Sequence, residues 1–261
     1  MSYPNVIYGG YGDEKVTAAS AIGSLPLGQL MILPDGRKFR HARAGSVTAL
    51  EAGAIVSTTA EVAGHGEGVG GSGLLASATS TYNQVGDTAV VLLSKSAAVT
   101  KDQYAGGYLD VKAPAASTYI GHVYKIKSNK SCAVSSKLEI ELEPGDGLRV
   151  AFKAATTLCG LRKSGYDDAI VAATSVAVPP VMGTTPVAVT KSYYFWAQRT
   201  GPASLQLGAT VTTVGSAVMV SPLAGSATLA IAASVVQGGY IGRAMGTDGA
   251  ASCALVDLDL E

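Results

Sequence analysis

The chain has 261 residues, of which 15% are charged, and its 19 lysines and arginines balance its 19 aspartates and glutamates. Zero net charge gives no long-range field to attract nucleic acid, and no apolar run approaches the roughly 20 residues of a membrane-spanning helix. We therefore expect neither a nucleic-acid nor a membrane partner. Because a chain with so few charges is prone to associate, we expect partners or further copies of it to cover much of its surface.

The N-terminal residues predict an extended, flexible arm over residues 1–24. The segment is rich in glycine and has too few apolar residues to form a core element of its own. Tyr3, Tyr8 and Tyr11 are spread along it, and tyrosine combines a large contact area with a polar end. The arm is a candidate for docking into a groove of a neighbouring protein, and a disordered tail is the alternative. The same region lacks the basic start and apolar block of a secretion signal, which predicts folding in the cytoplasm of the cell that makes the protein.

From residue 25 onward, glycine, proline, asparagine or aspartate interrupts the apolar runs about every 8 to 12 residues, which is typical of an all-β protein. Pro34-Asp35-Gly36 has the chemistry of a tight turn and predicts a hairpin between residues 30–33 and 37–40. Apolar and charged residues alternate at 137–142 and 255–260, as in strands with one buried face. The predicted fold class is all-β, built of β-sandwich or barrel-like modules.

The densest basic cluster follows the predicted turn, between residues 37 and 43. On a strand, Lys38 and Arg40 share one face, whereas Arg37, Phe39 and His41 share the other. Because no aromatic platform accompanies the cluster beyond Phe39, a nucleic-acid groove is not favoured. We expect salt bridges to carboxylates of a partner or a neighbour. Arg37, Lys38 and Arg40 therefore join the three tyrosines as candidate contact residues, for a partner protein or for a further subunit.

The expected domain plan has four parts: the arm 1–24, an N-terminal β domain 25–150, a connecting segment 151–190 and a C-terminal β domain 191–261. Residues 167–173 are a candidate for a short helix. The tripeptide Tyr-Ile-Gly begins at residues 119 and 240, and the tripeptide Ser-Cys-Ala begins 12 residues later each time, at 131 and 252. The repeated spacing predicts two related β units, at about 80–150 and 190–261, with chance similarity as the alternative.

No combination of residues predicts a catalytic, cofactor or metal site. The glycine-rich run 64–73 lacks the Gly-Lys-Ser/Thr ending of a phosphate-binding loop, and the three histidines lack neighbours at metal-ligand spacing. Cys132, Cys159 and Cys253 have no Cys-x-x-Cys spacing and are predicted to be reduced and buried. Trp196, the single tryptophan, stands in an aromatic run and is expected in the core. We expect a protein that is not an enzyme and needs no cofactor.

Two stretches resemble structural proteins of tailed-bacteriophage virions. Residues 27–30 (LGQL), 34–45 (PDGRKFRHARAG) and 48–53 (TALEAG) resemble the N-terminal region of such proteins, where DGR-x-F-R leads to G-x-x-AL-x-AG. Residues 193–203 (YYFWAQRTGPA) and 240–244 (YIGRA) are similar to the β modules of phage head proteins. There, an aromatic strand leads to Q-x-x-GPA, and G-x-x-IG-x-A precedes the last strand. The resemblance covers about a third of the chain and does not reach residues 150–190.

The resemblance implies a capsid decoration, or cement, protein located on the virion surface. Such proteins are β-rich and often homotrimeric, and they bind the major capsid protein where capsomers meet and stabilise the shell. The family has no catalytic residues to carry over. Two alternatives stay open: another virion component, such as a tail or receptor-binding module, and a cellular β-rich binding protein.

Overall fold

The computed structural model describes residues 4–59, 62, 64–65, 74–76, 83–93, 97–113, 121–153, 157–172, 180–211, 213–221, 223–229, 239–249 and 252–261. Within these ranges the regular structure is β-strand, apart from two 3-10 helices at Asp13–Lys15 and Ile22–Ser24, so the all-β prediction is confirmed. The strands are β1 Val6–Tyr8, β2 Leu30–Ile32, β3 Lys38–Arg43, β4 Ile55–Ser57, β5 Leu74–Ala76, β6 Ala89–Leu93, β7 Tyr108–Ala113, β8 Val123–Asn129, β9 Lys137–Leu142, β10 Leu158–Arg162, β11 Ile170–Val171, β12 Val181–Thr184, β13 Tyr194–Gln206, β14 Ala217–Val220, β15 Ala227–Leu229, β16 Tyr240–Ala244 and β17 Cys253–Asp259.

The chain divides into two compact units. The first combines Met1–Thr59 with Gly165–Glu261, and the second is Ala60–Ser164. Strand β3 pairs with β13, so the two ends of the chain share one sheet and the second unit is an insertion between β4 and β11. This division differs from the boundaries expected at 24, 150 and 190. The physical reason is that the pairing of strands far apart in sequence decides which segments form one body.

The first unit contains a sheet in the order β1-β2-β3-β13-β17-β16-β14-β15, with β12 joining β4 and β11 to β13. The central strand β13 pairs with β3 along its first half and with β17 from Thr200 to Gln206. Gly201 has a φ of 79° at the point where the pairing changes, a conformation that favours glycine. Trp196 lies in the first half of β13 and is 3% exposed, which confirms the prediction that it is in the core.

The second unit is a closed barrel in the order β10-β5-β6-β9-β8-β7. Apolar side chains fill its interior, among them Leu92, Leu109, Ile126 and Leu138. His65 is buried with them, and its Nδ1 lies 2.6 Å from the Tyr104 hydroxyl while its Nε2 lies 3.2 Å from the carbonyl oxygen of Ala97. The packed interior identifies this unit as a core-filled barrel.

The local strand predictions are confirmed. Strands β2 and β3 form the expected hairpin, and its turn contains Gly36 with a φ of 86°. Burial alternates strictly along β9 and along β17, as the alternation of apolar and charged residues predicted. The expected faces of β3 are also observed, because Phe39 and His41 are buried while Lys38 and Arg40 are half-buried.

The possible helix over residues 167–173 is not formed in its described part, 167–172. Ala169 bridges Ala44, and Ile170–Val171 forms β11, which pairs with β4. Asp167 accepts two hydrogen bonds from the guanidinium of Arg43, so its side chain serves a tertiary contact and not a helix cap. Pairing with β4 therefore replaces helix formation here.

The two copies of the repeated Tyr-Ile-Gly and Ser-Cys-Ala sequences occupy different positions in the fold. Residues 131–134 lie between β8 and β9, whereas residues 253–255 lie within β17. Strand β6, upstream of the first repeat, pairs with β9, whereas β14, upstream of the second repeat, pairs with β16. Residues 119–120 lie outside the described residues. The described strands therefore do not show the equivalent pairing that a duplicated unit predicts.

Residues 4–24 belong to the first unit and are not a free arm. Strand β1 pairs in parallel with β2, from Val6↔Leu30 to Tyr8↔Ile32. Ile7 and Ile22 pack against an apolar cluster of the sheet. That cluster consists of Met31, Leu33, Phe39 and Trp196. The segment is extended at β1, as expected, but two isoleucines attach it to its own chain because they cover this cluster.

Candidate interaction surface

Strand β1 is the edge of the first unit's sheet, and its outer side pairs with no other described strand. The amide of Gly9 donates to the carbonyl oxygen of Ile32 at 3.0 Å, which places the odd-numbered residues of the segment toward β2. Backbone groups alternate between the two sides of a strand, so the N–H and C=O groups of Val6 and Tyr8 point outward. An edge of this kind is a template for pairing with a strand of another chain.

Two residues fix β1 in this position. The side-chain amide of Gln29 is buried and donates to the carbonyl oxygens of Pro4 at 2.9 Å and Asn5 at 3.0 Å. A Cβ atom added to Gly9 would lie 2.7 Å from Sδ of Met31, so glycine allows the segment to close onto the apolar cluster. The edge is therefore already ordered in the isolated chain.

Tyr8 and Tyr11 project from this edge into solvent, with exposures of 83% and 67%. Two carboxylates hold the backbone by hydrogen bonds, one between Tyr8 and Tyr11 and one directly after Tyr11. Asp13 accepts from the amide of Gly10 at 2.8 Å, and Glu14 accepts from the amide of Gly12 at 2.6 Å. A contact surface whose backbone is ordered beforehand loses less conformational entropy on binding. We call β1 together with Tyr8 and Tyr11 the tyrosine edge; Tyr3 lies outside the described residues.

The candidate contact residues Arg37 and Arg40 form ion pairs within their own chain. Arg37 Nε lies 2.7 Å from Asp35 Oδ2, and Arg40 Nε lies 2.6 Å from Glu261 Oε1. Lys38 differs, because the described residues place no carboxylate within ion-pair distance of its ammonium group. Among the predicted basic contacts, Lys38 therefore keeps its charge available for a partner.

The remaining basic residues of the cluster also contact residues of their own chain. Arg43 binds Asp167 through two hydrogen bonds of 2.7 and 2.8 Å. His41 is fully buried, and its ring lies 5.4 Å from that of Tyr194 and 5.3 Å from that of Trp196. Burial lowers the pKa of His41 below its ordinary value, so the imidazole adds no charge near neutral pH. The three arginines of the cluster are thus held in internal ion pairs and His41 is buried, so the cluster is not a continuous positive patch.

The described residues contain no group of three or more His, Cys, Asp or Glu side chains that could hold a metal ion. Cys159 is buried in the barrel, and burial raises the pKa of its thiol, whereas Cys253 is exposed. The prediction of buried cysteines is right for Cys159, which is buried, and Cys132 is only partly buried. It is wrong for Cys253, because the alternation of β17 directs residue 253 outward. In the described part of the chain, no helix is long and apolar enough to cross a membrane.

The sequence identifies the tyrosines as candidate contacts, but it does not reveal the residues that position them. Gln29 and Glu14 carry no recognisable motif. The hydrogen bonds of Gln29 reach Pro4 and Asn5, whose proximity only the folded chain reveals, whereas Glu14 binds the amide of Gly12 within its own turn. A weak signal was present in Ile7 and Ile22, two β-branched apolar residues in a glycine-rich segment. They indicated a buried side of the segment.

Comparison with protein-family models, with curated proteins and with solved structures found no match to this chain.

Proposed function

We propose that the chain is a structural protein of a tailed-phage virion that binds the outer surface of the capsid and stabilises the shell. Its partner in this proposal is the major capsid protein, and the tyrosine edge is the contact. The observation that carries the proposal is that an ordered sheet edge carries two tyrosines exposed by 83% and 67%. The sequence resemblance to virion proteins supports the same function.

The geometry of the tyrosine edge suits binding by strand addition. Outward N–H and C=O groups of Val6 and Tyr8 pair with an extended segment of the partner, while the tyrosine rings enter pockets beside it. Tyrosine is among the residues that contribute most to interface affinity, because a rigid ring buries a large area. Lys38 adds a charge that matches a carboxylate of the partner.

The chain acts as a homotrimer in this proposal. Zero net charge and 15% charged residues favour self-association, and a symmetric interface covers exposed apolar side chains. Met245 and Leu255 are exposed by 45% and 46%, and they are neighbours, since the amide of Met245 donates to the carbonyl oxygen of Leu255 at 2.9 Å. Such a pair is suited to an interface between copies.

A pull-down of the chain with shells of the major capsid protein from the same phage tests the proposal. We expect the double variant Tyr8→Ser, Tyr11→Ser to bind at least about tenfold more weakly, corresponding to about 1.4 kcal/mol of lost contact. Its thermal unfolding should match that of the unaltered chain, because both rings are exposed.

Tyr240→Ser is the matched control, since Tyr240 is a 45% exposed tyrosine near the other end of the same sheet. It should leave binding unchanged. Equal binding by the double variant, or no binding of the unaltered chain to the shell, contradicts the proposal.

A further inference from the structure

The first unit contains a cleft of about 290 Å³, lined by both polar and apolar residues, between the 3-10 helix Asp13–Lys15 and strand β13. Its lining includes Glu14, Lys15, Arg37, Gln198 and Ser204, all of which belong to this unit. Ligand sites commonly have volumes of roughly 300 to 1,000 Å³. The cleft therefore has the size of a site for one small ring or one side chain.

Gln198 provides a fixed hydrogen-bond acceptor in this cleft. The residue is 3% exposed, and its amide nitrogen donates to the carbonyl oxygens of Thr200, Gly201 and Pro202 at 3.2, 3.3 and 2.8 Å. These bonds set the orientation of the side-chain amide. Its oxygen has no donor among the described residues, so it is available to a ligand that donates a hydrogen bond.

Charges of both signs surround this acceptor. Glu14 is 4% exposed; its Oε2 is bound to the amide of Gly12, and its Oε1 lies 3.8 Å from Nη2 of Arg37, beyond hydrogen-bond distance. Asp35 holds Nε of Arg37 at 2.7 Å, and the exposed Lys15 adds a positive charge beside Glu14. An anion in the cleft would meet Glu14, and a cation would meet Lys15 and Arg37.

We propose that the cleft binds a carbohydrate through the hydroxyl groups of one sugar ring. Each hydroxyl both donates and accepts, so it matches acceptors on Gln198 and Glu14 as well as donors on Lys15 and Arg37. A neutral ligand also avoids the repulsion that an ion of either sign meets here. Pro186 and Pro202 contribute small apolar surfaces to the lining, against which the C–H groups of a ring pack. This binding activity is additional to capsid binding and does not depend on it.

Saturation-transfer difference NMR on the full chain tests the proposal, with the methyl glycosides of glucose, galactose, mannose and N-acetylglucosamine as probes. We expect at least one glycoside to receive saturation from the protein. Ser204→Phe should weaken its binding at least about tenfold, because Ser204 is exposed at the cleft and a phenyl ring fills the space. Ser46→Phe, at an exposed serine outside the cleft lining, should leave binding unchanged.

Lys15→Ala is a second test that leaves the packed residues intact, since Lys15 is exposed. It removes one donor and should weaken glycoside binding severalfold. Absence of binding by all four glycosides overturns the proposal, as does equal binding by Ser204→Phe and the unaltered chain. If N-acetylated amino-acid amides bind and the glycosides do not, the cleft holds a protein side chain and the proposal is also overturned.

Discussion

Arg43 and Asp167 show how single residues join distant parts of the first unit. Both oxygens of Asp167 accept from the guanidinium of Arg43, a bidentate geometry that is stronger than a single contact. The Asp167 side chain is 14% exposed, so solvent screens the pair less than a fully exposed one. The pair attaches β3 to the segment that precedes β11.

We expect Asp167→Asn to lower the free energy of unfolding by about 1 kcal/mol, since it leaves Arg43 without its carboxylate. Urea unfolding followed by circular dichroism measures the change. Glu139→Gln is the control, because the Lys130–Glu139 pair has exposures of 74% and 51% and should contribute nothing measurable. An equal loss in both variants would show that the bidentate Arg43–Asp167 pair contributes no more to the free energy of unfolding than an exposed ion pair does.

His41 and His65 make stability depend on pH. Burial lowers the pKa of both imidazoles below the ordinary value of 6.5. The unfolded chain therefore binds protons that the folded chain does not, and the folded state is favoured fully above pH 6.5. This stabilisation is lost as the pH falls from there toward the lowered folded-state pKa values.

The free energy of unfolding should accordingly fall between about pH 7.5 and about pH 5.5, a range above the ordinary pKa values of the carboxyl groups. Urea titrations at intervals across this range measure it. His122→Gln should preserve the decline, since the decline arises from the buried imidazoles of His41 and His65. A flat profile, or one that His122→Gln abolishes, would count against this account.

At the scale of elements, the N-terminal segment has a structural as well as a binding role. Its isoleucines cover the cluster that contains Trp196, the single tryptophan of the chain. Deletion of residues 1–24 removes β1 and this cover. We expect a loss of about 2 kcal/mol from the apolar area exposed, and a red shift of the tryptophan emission.

Fluorescence and thermal unfolding of the deletion variant check this expectation. The Tyr8→Ser, Tyr11→Ser variant is the control, because it leaves Ile7 and Ile22 in place and should emit like the unaltered chain. Unchanged emission and stability after the deletion would mean that the segment does not pack on Trp196.

The elements also show which parts of the fold the sequence predicts. Turn chemistry at 34–36 and alternation at 137–142 and 255–260 predicted β3, β9 and β17, because these signals act within a few residues. The pairing of β3 with β13 joins residues about 150 positions apart, and no local pattern encodes it. The tyrosines of the edge were predicted from their residue type, whereas the ordering of the edge by Gln29 and Glu14 was not.

At the scale of the whole molecule, the barrel is an insertion with its own core. Residues 60–164 contain the strands of the closed barrel and the cluster that fills it. Ser57 and Ile170 are paired across β4 and β11, so the chain leaves and re-enters the first unit at nearby points.

Residues 60–164 expressed alone should therefore fold and unfold in one cooperative thermal transition, because the packed core lies within this segment. Far-UV circular dichroism during heating measures it. The complementary variant, in which a short glycine-serine linker replaces residues 60–164, should retain the buried tryptophan emission of the first unit. Failure of the isolated segment to show a cooperative transition would contradict the independence of the barrel.

Electron cryomicroscopy of the particle from the same source would show whether the chain binds a phage shell through its tyrosine edge. We expect density for many copies at symmetry-related positions on the outer surface of the head, with β1, Tyr8 and Tyr11 against the major capsid protein. Confinement of the chain to the tail, its absence from the particle, or a tyrosine edge that faces solvent would contradict it.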